Sequence, residues 1–171
     1  EIYERGEDLA RLAETTTGVT KRLDYYDVIG AARLIEGLVD DLSRWYIRRS
    51  RRRLQKPEDI ADYEACSATL GFVISEITKL MAPFAPFFSE ALFLSLNKES
   101  GIKNQDKKIH DSEFSIHNSV HLEDWPEVNK KFTNDKLIAD MAWVRNIATL
   151  ALAKRAEVGI KVRQPLSELR I

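Results

Sequence analysis

Apolar residues recur at every third or fourth position along most of this chain, and that period predicts helices. The clearest run is 27–55, where Val28, Ala31, Ala32, Ile35, Leu38, Val39, Leu42, Trp45 and Tyr46 share one face. A helix of that length extends about 40 Å, more than the core of a small domain needs. Kept in phase, the same face continues through Arg49, Arg53 and Lys56. It is therefore expected to turn from apolar to cationic partway along, with its basic end projecting from a bundle.

The remaining pattern supplies the rest of that bundle. Residues 1–23 carry a weaker stripe of Leu9, Leu12, Thr16, Val19 and Leu23. The run Thr15-Thr16-Thr17-Gly18 lowers helix propensity there, so this helix must rely on tertiary packing. The short connection over 24–27 makes it an antiparallel neighbour of the long helix. Pro57, Glu58 and Asp59 open a third helix, predicted over about 58–81, and its wide apolar arc (Ala65, Cys66, Phe72, Val73, Ile77, Leu80) suits a central position. Pro83 and Pro86 interrupt it and restart a short helix that reaches Leu96. Residues 97–118 are polar and aperiodic, the mark of an insertion or loop. Val120, Leu122 and Trp125 are expected to form a buried anchor after it. A last helix over about 134–158 stops at Gly159, and 160–166 alternates like a strand. The expected fold is a single all-α domain over 1–171, a bundle of four to five helices with a short extended segment near the C-terminus.

Composition narrows the chemistry. Among 171 residues there are seven Gly and five Pro, which favours helix, and the net charge is −1. That balance is local: Arg44, Arg48, Arg49, Arg51, Arg52, Arg53 and Lys56 run without an intervening acidic residue. Such self-repulsion is relieved by an anionic partner, phosphate above all. The single cysteine, Cys66, excludes an internal disulfide and a cysteine-based zinc site, and it falls on a core face. His110 and His117 lie in the polar insertion and read as solvated. No apolar run approaches the ~18 residues that span a bilayer. No Gly-rich phosphate loop, nucleophile–base grouping or metal-ligand cluster can be assembled, and the adjacent Asp40 and Asp41 point about 100° apart on a helix.

The block Leu42-Ser43-Arg44-Trp45-Tyr46-Ile47-Arg48-Arg49-Ser50-Arg51 resembles a helix in the anticodon-binding domain of the isoleucyl-tRNA synthetase family, within class I of the aminoacyl-tRNA synthetases. The valine branch of the class tends to place an acidic residue where this chain has Arg48. Ser119 to Pro126 and Arg155 to Leu166 carry the same resemblance, and Met81 to Glu90 resembles the class I synthetases more broadly. The resemblance implies a helical domain that grips the anticodon stem-loop of the isoleucine tRNA. It also implies a monomeric cytoplasmic parent that joins isoleucine to that tRNA with ATP and Mg. The signatures His-Ile-Gly-His and Lys-Met-Ser-Lys-Ser are missing, so catalysis belongs to a region upstream of Glu1, and a further region would follow Ile171. The chain is expected to be a fragment, inactive alone, with no cofactor of its own. Arg48, Arg49, Arg51, Arg52, Arg53, Lys161 and Arg163 are the candidate tRNA contacts. Trp45 and Tyr46 would either stack on unpaired bases or pack in the core, and their phase favours packing. The valine, leucine or methionine relatives remain alternatives, as does a helical module whose basic end docks an acidic protein.

Overall fold

Helices account for nearly all regular structure in the computed structural model, which describes residues 2–99 and 119–168. They are α1 (Ile2–Asp24), α2 (Val28–Asp41), a π-helical turn (Leu42–Ile47), α3 (Arg48–Gln55), α4 (Ile60–Met81), α5 (Pro86–Glu99) and α6 (Asp135–Glu157). Single 3-10 turns cover Val120–Leu122 and Lys130–Phe132. Because α2, the π turn and α3 run on without a break, the described residues make five helical rods. The expected all-α bundle is what the sequence forms. The chain divides into two compact units, Glu1–Thr133 and Asn134–Ile171.

In the first unit, α1, α2 and α4 enclose the core. Leu12 and Val19 meet Ala31, Ile35, Leu38, Leu42 and Tyr46, with Cys66, Val73, Ile77 and Leu80 from α4. Removing a side chain such as Leu38 or Leu80 from water contributes about 1.5–3 kcal/mol each. The threonine run of α1 is held helical by packing, with Thr15, Thr16 and Val19 buried, and its hydroxyls are satisfied by bonding backward. Thr16 donates to the Leu12 carbonyl (2.8 Å), Thr17 to Ala13 (2.9 Å) and Thr20 to Thr16 (2.8 Å). The segment after residue 118 departs from expectation. Val120 is buried, but Leu122 is exposed and Trp125 is partly so. Polar bonds hold it instead: Ser119 Oγ and the Val120 N–H both donate to the Glu90 carboxylate (2.9 and 3.0 Å), and Trp125 Nε1 donates to Thr20 Oγ1 (2.9 Å). Of the expected insertion at 97–118, residues 97–99 belong to α5; the remainder, with His110 and His117, lies outside the described residues.

The joint between α1 and α2 is closed by its backbone. Tyr26 N–H donates to the Leu23 carbonyl (2.9 Å) and Asp27 N–H to that of Arg22 (2.8 Å), the paired bonds that end a helix on a left-handed residue. That residue is Tyr26, at φ +59°. A left-handed residue with a Cβ costs about 1–2 kcal/mol relative to glycine there. Asp27 then caps α2, accepting from the Gly30 N–H at 2.9 Å, and Arg22 bonds the same carboxylate. Gly30 permits both, since a Cβ on it would collide with the Asp27 carboxylate and with Arg22 Nη1.

In the second unit, Asn134 caps α6 by accepting from the Leu137 N–H at 3.0 Å. Gly159, at φ +69°, stops the helix as its position predicts. The alternation over 160–166 does not yield a strand. Among the described residues no strand forms, and this segment turns at Val162 and Arg163, with the Gln164 N–H bonding the Lys161 carbonyl at 3.0 Å. Arg155 captures the carbonyls that a strand partner would otherwise have taken.

Candidate nucleic-acid interface

The π turn decides where the arginines go. It adds roughly one residue to the helix, a rotation of about 100°. The buried face therefore runs Leu38, Leu42, Tyr46 and Ser50, with Leu54 half-buried, rather than drifting onto Arg49. The expectation that one stripe turns cationic in phase is corrected here: Arg49 is exposed, and Ser50 takes the inner position. Arg48, Arg51 and Arg52 share one face of α3 at i, i+3 and i+4, and all three are exposed.

Those arginines differ in how far their charge is committed. Arg48 meets no carboxylate among the described residues. Among the described residues Arg51 is held only by Gln55, Nε donating to Oε1 at 3.2 Å. Arg52 pairs with the exposed Glu58, a contact readily given up to a stronger anion. Arg53 is used otherwise. It grips Asp62 of α4 through two bonds, Nε to Oδ2 at 2.6 Å and Nη2 to Oδ1 at 2.5 Å, with both side chains mostly buried. That bond raises the affinity of the guanidinium for its proton. Arg52, Arg53 and Lys56 also line a cleft of about 500 Å³ with Glu58, Asp59 and Asp62. Three cations against three carboxylates leave that cleft electrostatically balanced, so the outer face, not the cleft, attracts anions.

The aromatic pair separates. Tyr46 is 4% exposed, and its hydroxyl donates to the Cys66 carbonyl at 3.0 Å and lies 3.3 Å from Cys66 Sγ. Burial, helped by the contacts with Cys66, pushes the phenol pKa up and keeps it neutral. Of the two alternatives for Tyr46 the structure shows the one its phase favours, packing in the core, and base stacking is set aside for it because the side chain is buried. Trp45, half-buried in the π turn, keeps part of its ring at the surface. Lys161 and Arg163 stand together on the turn of the second unit, both exposed, with their backbone fixed by Arg155 rather than by a sheet.

Sequence reasoning missed a second basic surface in the first unit. Between α1 and α2 lies a groove of about 610 Å³ whose rim includes Arg11, Lys21, Arg22, Tyr25 and Arg33. The signal was present as Lys21, Arg22, Tyr25, Tyr26 and Arg33 around a short joint, but spread over two elements it forms no run. Among the described residues no group of three or more His, Cys, Asp or Glu could hold a metal, and no helix is long and apolar enough to cross a membrane.

A family model described as the anticodon-binding domain of tRNA ligase matches residues 8–170. The chain is similar to the isoleucine–tRNA ligase of Thermus thermophilus, 38% identical over 164 residues, covering 95% of this chain and 15% of that protein. It is similar also to the enzymes of that name from Deinococcus radiodurans (39% over 163 residues; 95% and 14%) and Bacillus thuringiensis (39% over 161 residues; 94% and 14%). The chain thus spans about 15% of the length of the curated relatives it matches.

Proposed function

The chain belongs to the anticodon-binding domain family of tRNA ligases, and from that premise we propose that it grips the anticodon stem-loop of the isoleucine tRNA within an isoleucine–tRNA ligase. The parent protein joins isoleucine to its tRNA with ATP and Mg, acting as a cytoplasmic monomer, and this piece contributes binding without chemistry. The isoleucine assignment is supported by relatives near 39% identity that carry that name across almost the whole chain. The observation that carries RNA binding is the exposed face of Arg48, Arg51 and Arg52 on a helix held rigid by Arg53 and Asp62. Guanidinium groups in that setting meet phosphates without having to leave a buried partner. Arg53 acts as the brace that fixes α3 against α4, while Arg49, Lys161 and Arg163 supply further contacts to the RNA. Trp45 offers the edge of its ring to a loop base.

Binding to an anticodon stem-loop RNA, measured over a salt series beside an acidic peptide of equal charge, tests this reading. Replacing Arg48, Arg51 or Arg52 by Ala should weaken RNA binding and reduce the salt slope by roughly 0.7–0.9 per lost contact. Preference for the acidic peptide, or unchanged slopes in all three variants, would reassign the domain to protein docking. An arginine that reads a base behaves differently, since its loss narrows the gap between cognate and altered anticodons by about 1–3 kcal/mol.

A further inference from the structure

The joint between α1 and α2 carries two features that folding alone does not require. Tyr26 occupies a left-handed position that glycine fills without strain, and the residue is 91% exposed. Neighbouring Tyr25 is 77% exposed. Neither side chain bonds another group among the described residues, so the strain at Tyr26 secures no packing in return. Strained, exposed side chains of this kind are found where a ligand uses them.

Charge beside the two rings indicates which ligand. The groove that begins at Tyr25 is floored by Thr15, Gly18, Leu34 and Gly37, and a Cβ on Gly37 would meet nothing within 4 Å. On its rim Arg11 is held by Asp41 and Glu14, and Arg22 by Asp27. Lys21 and Arg33 meet no carboxylate at bonding distance among the described residues. Lys21 and Arg33, neither in an ion pair among the described residues, line one groove with Tyr25, and the exposed Tyr26 is the next residue in the chain. Together they offer what a nucleotide without a pairing partner needs, a base to stack and a phosphate to neutralise. Exposed tyrosines and arginines also suit protein interfaces; RNA is favoured here because the joint continues the rod that carries the exposed Arg48, Arg51 and Arg52.

We infer that the α1–α2 joint, with Tyr25, Tyr26, Lys21 and Arg33, is a second RNA-contacting surface that receives unpaired nucleotides. It rests on the RNA reading above and deepens it. Arg51 lies about 24 residues further along the same helical rod, on the order of 35 Å away by helix rise. The two surfaces therefore divide the work, α3 holding backbone phosphates and the joint holding splayed loop bases. Joined on one rigid rod, they reinforce each other as linked sites do.

The test separates stability from binding. Tyr26→Gly should melt at the same or a higher temperature, because the left-handed strain is gone. It should bind a hairpin RNA with an unpaired loop roughly five- to tenfold more weakly, while binding of a fully paired duplex of equal length stays unchanged. Tyr26→Phe keeps the stacking face and should retain hairpin binding. Lys21→Gln and Arg33→Gln should each lower the salt slope for the hairpin by about 0.7. Wild-type hairpin affinity in Tyr26→Gly together with unchanged slopes in both charge variants overturns the inference. If only Arg48→Ala and Arg51→Ala weaken binding, the RNA reading stands and the second surface falls. If the wild-type chain binds neither RNA, both fall together.

Discussion

The ends of α1 and α6 close with the same backbone bonds and differ in the residue that closes them. At α1, Tyr26 N–H reaches Leu23 and Asp27 N–H reaches Arg22; at α6, Gly159 N–H reaches Ala156 (3.2 Å) and Ile160 N–H reaches Arg155 (2.9 Å). Both stop on a left-handed residue, and in both an arginine in the final turn secures the residues just beyond the helix. Arg22 bonds the carboxylate of Asp27, whereas Arg155 Nη2 donates to the carbonyls of Lys161 (2.5 Å), Val162 (3.1 Å) and Gln164. Yet one helix uses glycine, which the geometry favours, and the other uses tyrosine, which it does not. The backbone motif fixes the stop; the residue at its centre reports what else the position is for.

The sharpest way to break the parallel is to remove the arginine that holds the second turn. Arg155→Met should release three carbonyls at a local cost of about 2 kcal/mol. Amide exchange at Gly159, Ile160 and Gln164 should then quicken by roughly 30-fold, while the core amides of α4 are unaffected. Next come the reciprocal changes at the left-handed positions. Gly159→Ala should lose about 1 kcal/mol by thermal unfolding, and Tyr26→Gly should gain about 0.5 kcal/mol, its relief of strain partly offset by the freer unfolded chain. Equal signs for the two would show that the shared bonds do not impose a shared preference.

Smaller still is a difference in acid. The Asp27 carboxyl is held below its ordinary value by the Gly30 N–H first and by Arg22 second. A lowered folded-state pKa stabilises above the unfolded value near 3.8, and that gain fades as pH falls through the folded value. Asp27→Asn should therefore flatten the pH dependence of stability below about pH 4 and leave it unchanged at neutral pH apart from the lost pairing with Arg22. The end of α6, closed by carbonyls, should show no such acid dependence. An acid response of equal size in wild type and Asp27→Asn would place the titration elsewhere.

Along the long helix, local pattern and tertiary contact decided different things. Apolar period, the proline breaks at Pro83 and Pro86, the stop at Gly159 and the core role of Cys66 were all legible, because each depends on local geometry or on the solvation of one side chain. The arginine cluster was legible as a cluster for the same reason. The six-residue π turn at Leu42–Ile47 was not, since no residue type encodes it. It arises from packing Leu42 and Tyr46 together against α1 and α4, and it alone moves Arg49 outward and seats Ser50 inside. Nor could composition show that Arg53 is spoken for while Arg48 is not. That depends on Asp62, nine residues away on another helix, arriving within 2.6 Å. The groove beside Tyr25 obeys the same rule, because its cations belong to two helices that become neighbours only after folding. Residue chemistry and helical period are properties of a stretch of chain, and the sequence by itself determined them; which charges remain free for a partner is a property of distances between stretches, and only the tertiary structure sets those.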